Sequence, residues 1–146
     1  MLKNVGVETA REDELVEAQR FYDSRGYGGA AIEPSDIVVL AKHGSKIVGI
    51  GRLCQEDGFI SLRGMQVSPE FQRQGLGSSI LQRLENELGS NPCYCLPYEH
   101  LLTFYRQAGF EHVTVDLPQI LHQRLTEYST RGLAVVAMFR NSQGTV

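Results

Sequence analysis

The sequence predicts a mixed α/β domain whose central sheet is mostly antiparallel and carries helices on its flanks. Between Asp36 and Val67 three segments rich in β-branched and apolar residues follow one another with only short turn signals between them. On both sides of this block apolar residues return at helical spacing, and further short apolar runs continue towards the C-terminus.

Taken in order, Val5 to Glu8 suits a short first strand, and Thr9-x-x-Glu12 fits a capping box. Leu15, Ala18 and Tyr22 then predict a helix from about Ala10 to Ser24, stopped by Gly26. "RGYGGAAIEPSD" has Gly and Pro punctuation without periodicity and reads as the longest loop, of the kind that builds binding surfaces. "DIVVLAK", "KIVGIGRLCQ" and "FISLRGMQV" read as strands two to four of an antiparallel meander, because His43-Gly44-Ser45 and Glu56-Asp57-Gly58 supply hairpin chemistry. Beyond Ser68-Pro69, Ile80, Leu81, Leu84 and Leu88 form one helical stripe that ends near Gly89.

"PCYCL" follows as a buried strand, then a helix from about Tyr98 to Ala108 with Gly109 at its left-handed end. "FEHVTV" and "LAVVAMF" read as two last strands, with a short helix in "PQILHQRLTEYSTRG" between them. No repeat or linker interrupts the 146 residues, so residues 1–146 are expected to form a single domain.

Composition removes several classes of function. A net charge of -3 and no Lys/Arg run interleaved with aromatics argue against nucleic acid as a partner. No apolar stretch approaches membrane-spanning length and no signal-peptide core opens the chain, so a cytoplasmic protein without membrane partners is expected. Cys54, Cys93 and Cys95 are odd in number, and Cys93-Tyr94-Cys95 is too closely spaced for a usual zinc or redox pair; buried free thiols and no metal site are expected.

The chemistry concentrates in "LRGMQVSPEFQRQGLGSSILQRLENEL", where a strand runs through Gln72-Arg73-Gln74-Gly75-Leu76-Gly77 directly into an amphipathic helix. The first turn of a helix has unpaired N–H groups and partial positive charge, which suits phosphate. Glycines at 75 and 77 let a pyrophosphate approach the amides, Arg73 adds a cation and Ser78 a hydroxyl donor. Two glycines that merely ease a turn are the alternative. A dinucleotide fingerprint is excluded because Ile80 stands where its third glycine belongs, and a P-loop because no Gly-Lys pair occurs.

"VSPEFQRQGLGSSIL" resembles the acetyl-CoA signature of the GNAT superfamily of N-acetyltransferases, Q/R-x-x-G-x-G/A, with Gln72, Gly75 and Gly77 at its defining places. "LLTFYRQAGFEHV" resembles the second family signature through Phe104-Tyr105 and Gly109-Phe110, and the order of elements over nearly the whole chain agrees. The resemblance implies a sheet splayed between strands four and five, with the pantetheine arm of acetyl-CoA paired along Met65, Gln66 and Val67. It puts the pyrophosphate on the stretch Gln72, Arg73, Gln74, Gly75, Leu76, Gly77 and Ser78.

Tyr105 matches the family tyrosine that protonates the departing thiolate, with an aromatic simply packed on the sheet as the alternative. The sequence Pro97-Tyr98-Glu99-His100 departs from the family's common Asn; Glu99 and His100 are candidate bases, while for Glu99 a first-turn carboxylate favoured by the helix dipole is the preferred reading. Tyr22, Arg25 and Tyr27 are candidates to line the acceptor side. The implied activity is acetyl transfer from acetyl-CoA to a primary amine of a small molecule or amino acid. Protein N-termini or lysines as acceptors, and an acyl-CoA-binding regulatory module without turnover, are the alternatives. A homodimer is an allowed assembly that no residue pattern selects.

Overall fold

The computed structural model describes residues 4–141. The chain runs β1 (Val5–Thr9), α1 (Leu15–Ser24), β2 (Ile37–His43), β3 (Lys46–Gln55), β4 (Ile60–Val67), α2 (Leu76–Leu88), β5 (Cys93–Cys95), α3 (Leu102–Arg106), β6 (Glu111–His112), α4 (Gln119–Thr130) and β7 (Met138–Arg140). Short 3-10 turns at Glu12–Glu14, Pro69–Phe71 and Glu99–Leu101 lead into or between these elements.

The strands form one sheet in the order β1-β2-β3-β4-β5-β7-β6, antiparallel throughout except for the parallel pair β4–β5. The meander of β2, β3 and β4 is the antiparallel block that the hairpin signals predicted. β3 is its centre and is buried over all but its two end residues, as its near-continuous apolar run requires.

Two cores lie on opposite faces of the sheet. On one, the stripe Leu76, Ile80, Leu81, Leu84 and Leu88 of α2 packs with Val39, Val48, Leu53, Leu62, Cys93, Cys95, Tyr105 and Phe110. On the other, Ala18 and Tyr22 of α1 cover Val38, Leu40, Ile47 and Ile50. At roughly 2 kcal/mol per fully buried large aliphatic side chain, the α2 stripe holds the helix to the sheet more firmly than its own propensity would.

Three expectations at the ends of elements are corrected. Thr9 is no helix cap: it ends β1 opposite Val39, and its hydroxyl donates to Glu87 of α2. The capping box is instead two residues later, between Arg11 and Glu14, and opens the 3-10 turn that leads into α1 at Leu15. The helix expected from Tyr98 to Ala108 splits into the 3-10 turn Glu99–Leu101 and a short α3.

The last two strands shrink to Glu111–His112 and Met138–Arg140, because the residues before β7 bond elsewhere: Glu99 N–H donates to Ala134 O and Val136 N–H to Pro97 O. Among the described residues no helix is long and apolar enough to cross a membrane.

Candidate active site

The turn between β4 and α2 is shaped by its own polar side chains. Gln72 Nε2 donates to Val67 O at 2.8 Å and Gln74 Nε2 to Glu70 O at 3.0 Å, so both amides brace the loop from within. Arg73 and Gly75 take left-handed backbone conformations, with φ of 61° and 83°. A side chain at 75 would meet no atom within 4 Å, so the backbone conformation, and not crowding, asks for glycine there.

The result is a row of unspent donors. The first bond of α2 runs from Ser79 N–H to Gly75 O, and among the described residues no carbonyl or side chain accepts from the amides of Arg73 through Ser78. No acidic residue sits in the first turn of α2, and Arg73 is exposed without an ion-pair partner among the described residues. Leu76 is buried in the core and fixes the row against the sheet. A methyl group on Gly77 would touch Phe104 at 3.6 Å, an ordinary contact, so the fold itself tolerates alanine. Ser78 Oγ accepts from Gln107 Nε2 at 3.4 Å.

Beside this row the sheet opens. β4 and β5 pair only through Ser61 with Tyr94 and Leu62 with Cys95; beyond Leu62, β4 has no strand on that side among the described residues. The cause is a bulge. Between the pairs Ile50–Gln66 and Arg52–Arg63, β3 advances two residues and β4 three, so β4 carries one extra residue near Gly64 and bends. Gly64 has φ of 68°, and the Tyr22 hydroxyl donates to its carbonyl at 2.8 Å. A Cβ at 64 would lie 2.2 Å from that hydroxyl. On the other side, the chain leaving β5 is drawn away by the Tyr98–Val135 bridge.

The opening leads into a cavity of about 360 Å³. Met65 and Gln66 line it, and Val67 does not; none of residues 72–78 reaches it, so the amide row is a separate surface. Tyr105 lines the cavity while only 6% exposed, its ring held edge-on between Phe104 and Phe110. Burial pushes its phenol well above the usual tyrosine value, so it stays protonated and available as a donor. Cys95 lines the cavity as well, but burial raises its thiol likewise, and it raises Cys54 to about 11 and Cys93 to about 12. All three cysteines are free and buried, and thiols so desolvated are poor nucleophiles.

Arg25 and Tyr27, expected on the acceptor side, line the cavity. Tyr22 is corrected: it is fully buried beneath the wall, stacked on Tyr27 at 4.3 Å, and supports the lining without joining it. Glu99 and His100 are exposed and off the lining, the His100 ring stacking on Tyr98. The loop bearing Arg25 and Tyr27 is pinned by fully buried Arg52 of β3, which donates to Asp36 at 3.0 Å, to Ala30 O at 2.5 Å and to the Tyr27 hydroxyl at 3.4 Å.

Sequence reasoning missed other parts of the wall, among them Ser61 and Arg63 on β4, and Leu121, Arg124, Tyr128 and Arg131 along α4 and its end. The α4 residues recur at steps of three and four, one face of a helix, and that mixed polar face was the available signal. Arg124 is held in place by a two-pronged pair with Glu56 at 2.8 and 2.9 Å, and Ser61 donates to the same carboxylate. The Arg124 guanidinium, the Ser61 hydroxyl and the nearby Arg63 charge together lower the Glu56 carboxyl from 4.5 to about 2. Among the described residues no cluster of His, Cys, Asp and Glu is arranged to hold a metal.

Comparison with known proteins adds family and fold. The family profile described as an acetyltransferase (GNAT) domain matches residues 34–112. No curated protein sequence matches the chain significantly. Among solved structures, the ribosomal-protein-S18-alanine N-acetyltransferase from Escherichia coli superposes with a TM-score of 0.70 at 15% identity, over 97% of this chain and 96% of that one. Escherichia coli ElaA gives 0.66 at 15% identity over 94% and 99%. N-acetylglutamate synthase from Neisseria gonorrhoeae, solved with coenzyme A and N-acetyl-glutamate, gives 0.66 at 15% identity over 99% of this chain and 36% of that one. At these identities the likeness is one of fold.

Proposed function

The chain belongs to the GNAT acetyltransferase family, and from that premise we propose that it transfers the acetyl group of acetyl-CoA to a primary amine of a small molecule or amino acid, by direct attack. The observation that carries this reading is the row of unpaired amides from Arg73 to Ser78 set beside a β4 edge left open by the Gly64 bulge. The residues present fit the cosubstrate: the amides and Arg73 suit a diphosphate, and the backbone of Met65, Gln66 and Val67 suits an extended amide-bearing arm.

Acetyl-CoA supplies an acetyl group activated as a thioester. Tyr105 holds a proton on a buried phenol at the cavity wall and donates it towards the departing sulfur. The desolvation that raises the phenol also raises the proton affinity of a thiolate formed beside it, so the donor and its target stay matched. Cys95 is kept protonated and leaves the amine as the attacking group.

We assign no base to Glu99 or His100, since both face solvent away from the cavity. Among the described lining residues there is no Asp, Glu or His, and the guanidinium groups there disfavour an ammonium and so favour the neutral amine that attack requires. The same lack of a base favours a second reading, a module that binds acyl-CoA and does not turn it over.

Thiol release from acetyl-CoA with a panel of amines separates the two. Release above background is expected with at least one amine. If none gives it while CoA still raises the melting temperature, the binding-module reading stands; if calorimetry detects no CoA binding, both readings fall.

A further inference from the structure

We propose that the acceptor carries a carboxylate beside its amine, the chemistry of a free α-amino acid, and that Arg25 and Arg63 hold that carboxylate. The proposal rests on the acetyl-transfer reading above and concerns the same cavity.

Four arginines line the cavity, Arg25, Arg63, Arg124 and Arg131, and no acidic residue does among those described. Arg124 is already neutralised by Glu56. The other three have no side-chain or carbonyl acceptor for their guanidinium groups among the described residues. Arg131 is exposed to solvent, whereas Arg25 and Arg63 are half-buried, so an anion in the cavity would gain charge-assisted hydrogen bonds from these two.

Two features sharpen the inference. Arg25 Nε is buried and has no hydrogen-bond partner, a donor whose lost hydration a bound carboxylate would restore. Arg63 stands directly across the strand pair from Arg52, an arrangement of like charges that destabilises a sheet. Arg52 is neutralised by Asp36, whereas Arg63 lines the cavity without an ion pair of its own among the described residues, near the Glu56 carboxylate that Arg124 already holds.

The phosphates of the cosubstrate do not account for these charges, because the amide row that suits them lies outside the cavity lining. A polyamine or a lysine side chain would bring further cations into this wall, and a protein N-terminus has its first α-carboxyl tied up in a peptide bond. An amino acid presents amine and carboxylate on one carbon: the arginines bind the carboxylate and their field lowers the affinity of the neighbouring amine for a proton.

The test uses the full chain loaded with CoA, titrated calorimetrically with proteinogenic L-amino acids, their C-terminal amides and spermidine, with thiol release from acetyl-CoA measured in parallel. Expected is binding and turnover of one or more amino acids, with KM at least about tenfold lower than for the matching amide. Arg63→Gln should raise that KM about tenfold or more and leave the KM for acetyl-CoA unchanged, and Arg63→Lys should recover part of the loss. The CoA-induced rise in melting temperature serves as the check that each variant folds.

Amides or spermidine used as well as amino acids would overturn the proposal and leave acetyl transfer intact, as would an unchanged KM in both Arg25→Gln and Arg63→Gln. If no amine is acetylated, the transfer reading fails, and calorimetry alone decides: amino-acid heat abolished by Arg63→Gln upholds the carboxylate site, and no heat with any amino acid refutes it.

Discussion

The two halves of the site are built by different physics. The amide row at the start of α2 comes from one stretch of chain, and its ligand-facing groups are backbone donors from Arg73 to Ser78. The cavity beyond the β4–β5 opening is assembled from the loop after α1, β4, the segment after β5, α3 and α4, and its chemistry lies in side chains. A backbone site survives side-chain change as long as the local conformation holds. A side-chain site depends on distant pairs that fix its walls, here Arg52 with Asp36 and Arg124 with Glu56.

The sharpest way to break this contrast is Asp36→Asn. It leaves the buried Arg52 charge unpaired and should cost about 3–5 kcal/mol in denaturant unfolding. In the protein that stays folded, CoA affinity should hold while acceptor KM rises, because only the Tyr27 loop is released. Equal losses of both affinities would show the two halves to be one unit.

Tyr105→Phe comes next: kcat should fall about a hundredfold, with the CoA dissociation constant within about twofold of wild type. An unchanged kcat removes Tyr105 from the chemistry.

Glu56→Gln probes the α4 wall through pH. The Glu56 carboxyl is held at about 2 against an ordinary 4.5, so its pair with Arg124 stabilises the fold above pH 4.5, and that contribution is lost as pH falls from 4.5 towards 2. Thermal melts at neutral pH should show the variant less stable by about 2–3 kcal/mol, with the gap closing near the acid end. A gap that does not change with pH would mean that packing, not charge, carries the effect.

Smallest is Gly77→Ala. The added methyl meets only Phe104 at ordinary contact distance, so stability should stay within about 1 kcal/mol of wild type or rise. CoA affinity measured by calorimetry should hold within about twofold, since the signature that Gly77 matches takes glycine or alanine at this place. A large loss of affinity would show that the methyl enters the space a diphosphate needs.

The same contrast explains what the sequence made legible. The meander, the α2 stripe and the Gln72-to-Gly77 turn all have signals within a few residues of where they act, and each could be read locally. Thr9 shows the limit: its capping-box spacing is real, but pairing with Val39 and a bond to Glu87 outcompete the local alternative. "LAVVAMF" failed as a full strand for a similar reason, since Ala134 and Val136 bond to the segment around Pro97–Glu99. Glu99 and His100 carry suitable chemistry, yet a 3-10 turn leaves both facing solvent. Arg124 and Arg131 share only the spacing of one helix face, and nothing near Arg63 in the chain says that it meets them.

The Tyr22 hydroxyl acts as a doorstop. It occupies the space a side chain at 64 would need and grips that carbonyl, so the bend of β4 is wedged from beneath by a helix that contributes no group to either ligand. The width of the gap is thereby set from α1, and variation along the loop that follows this helix can retune what enters the cavity without shutting the slot beside it.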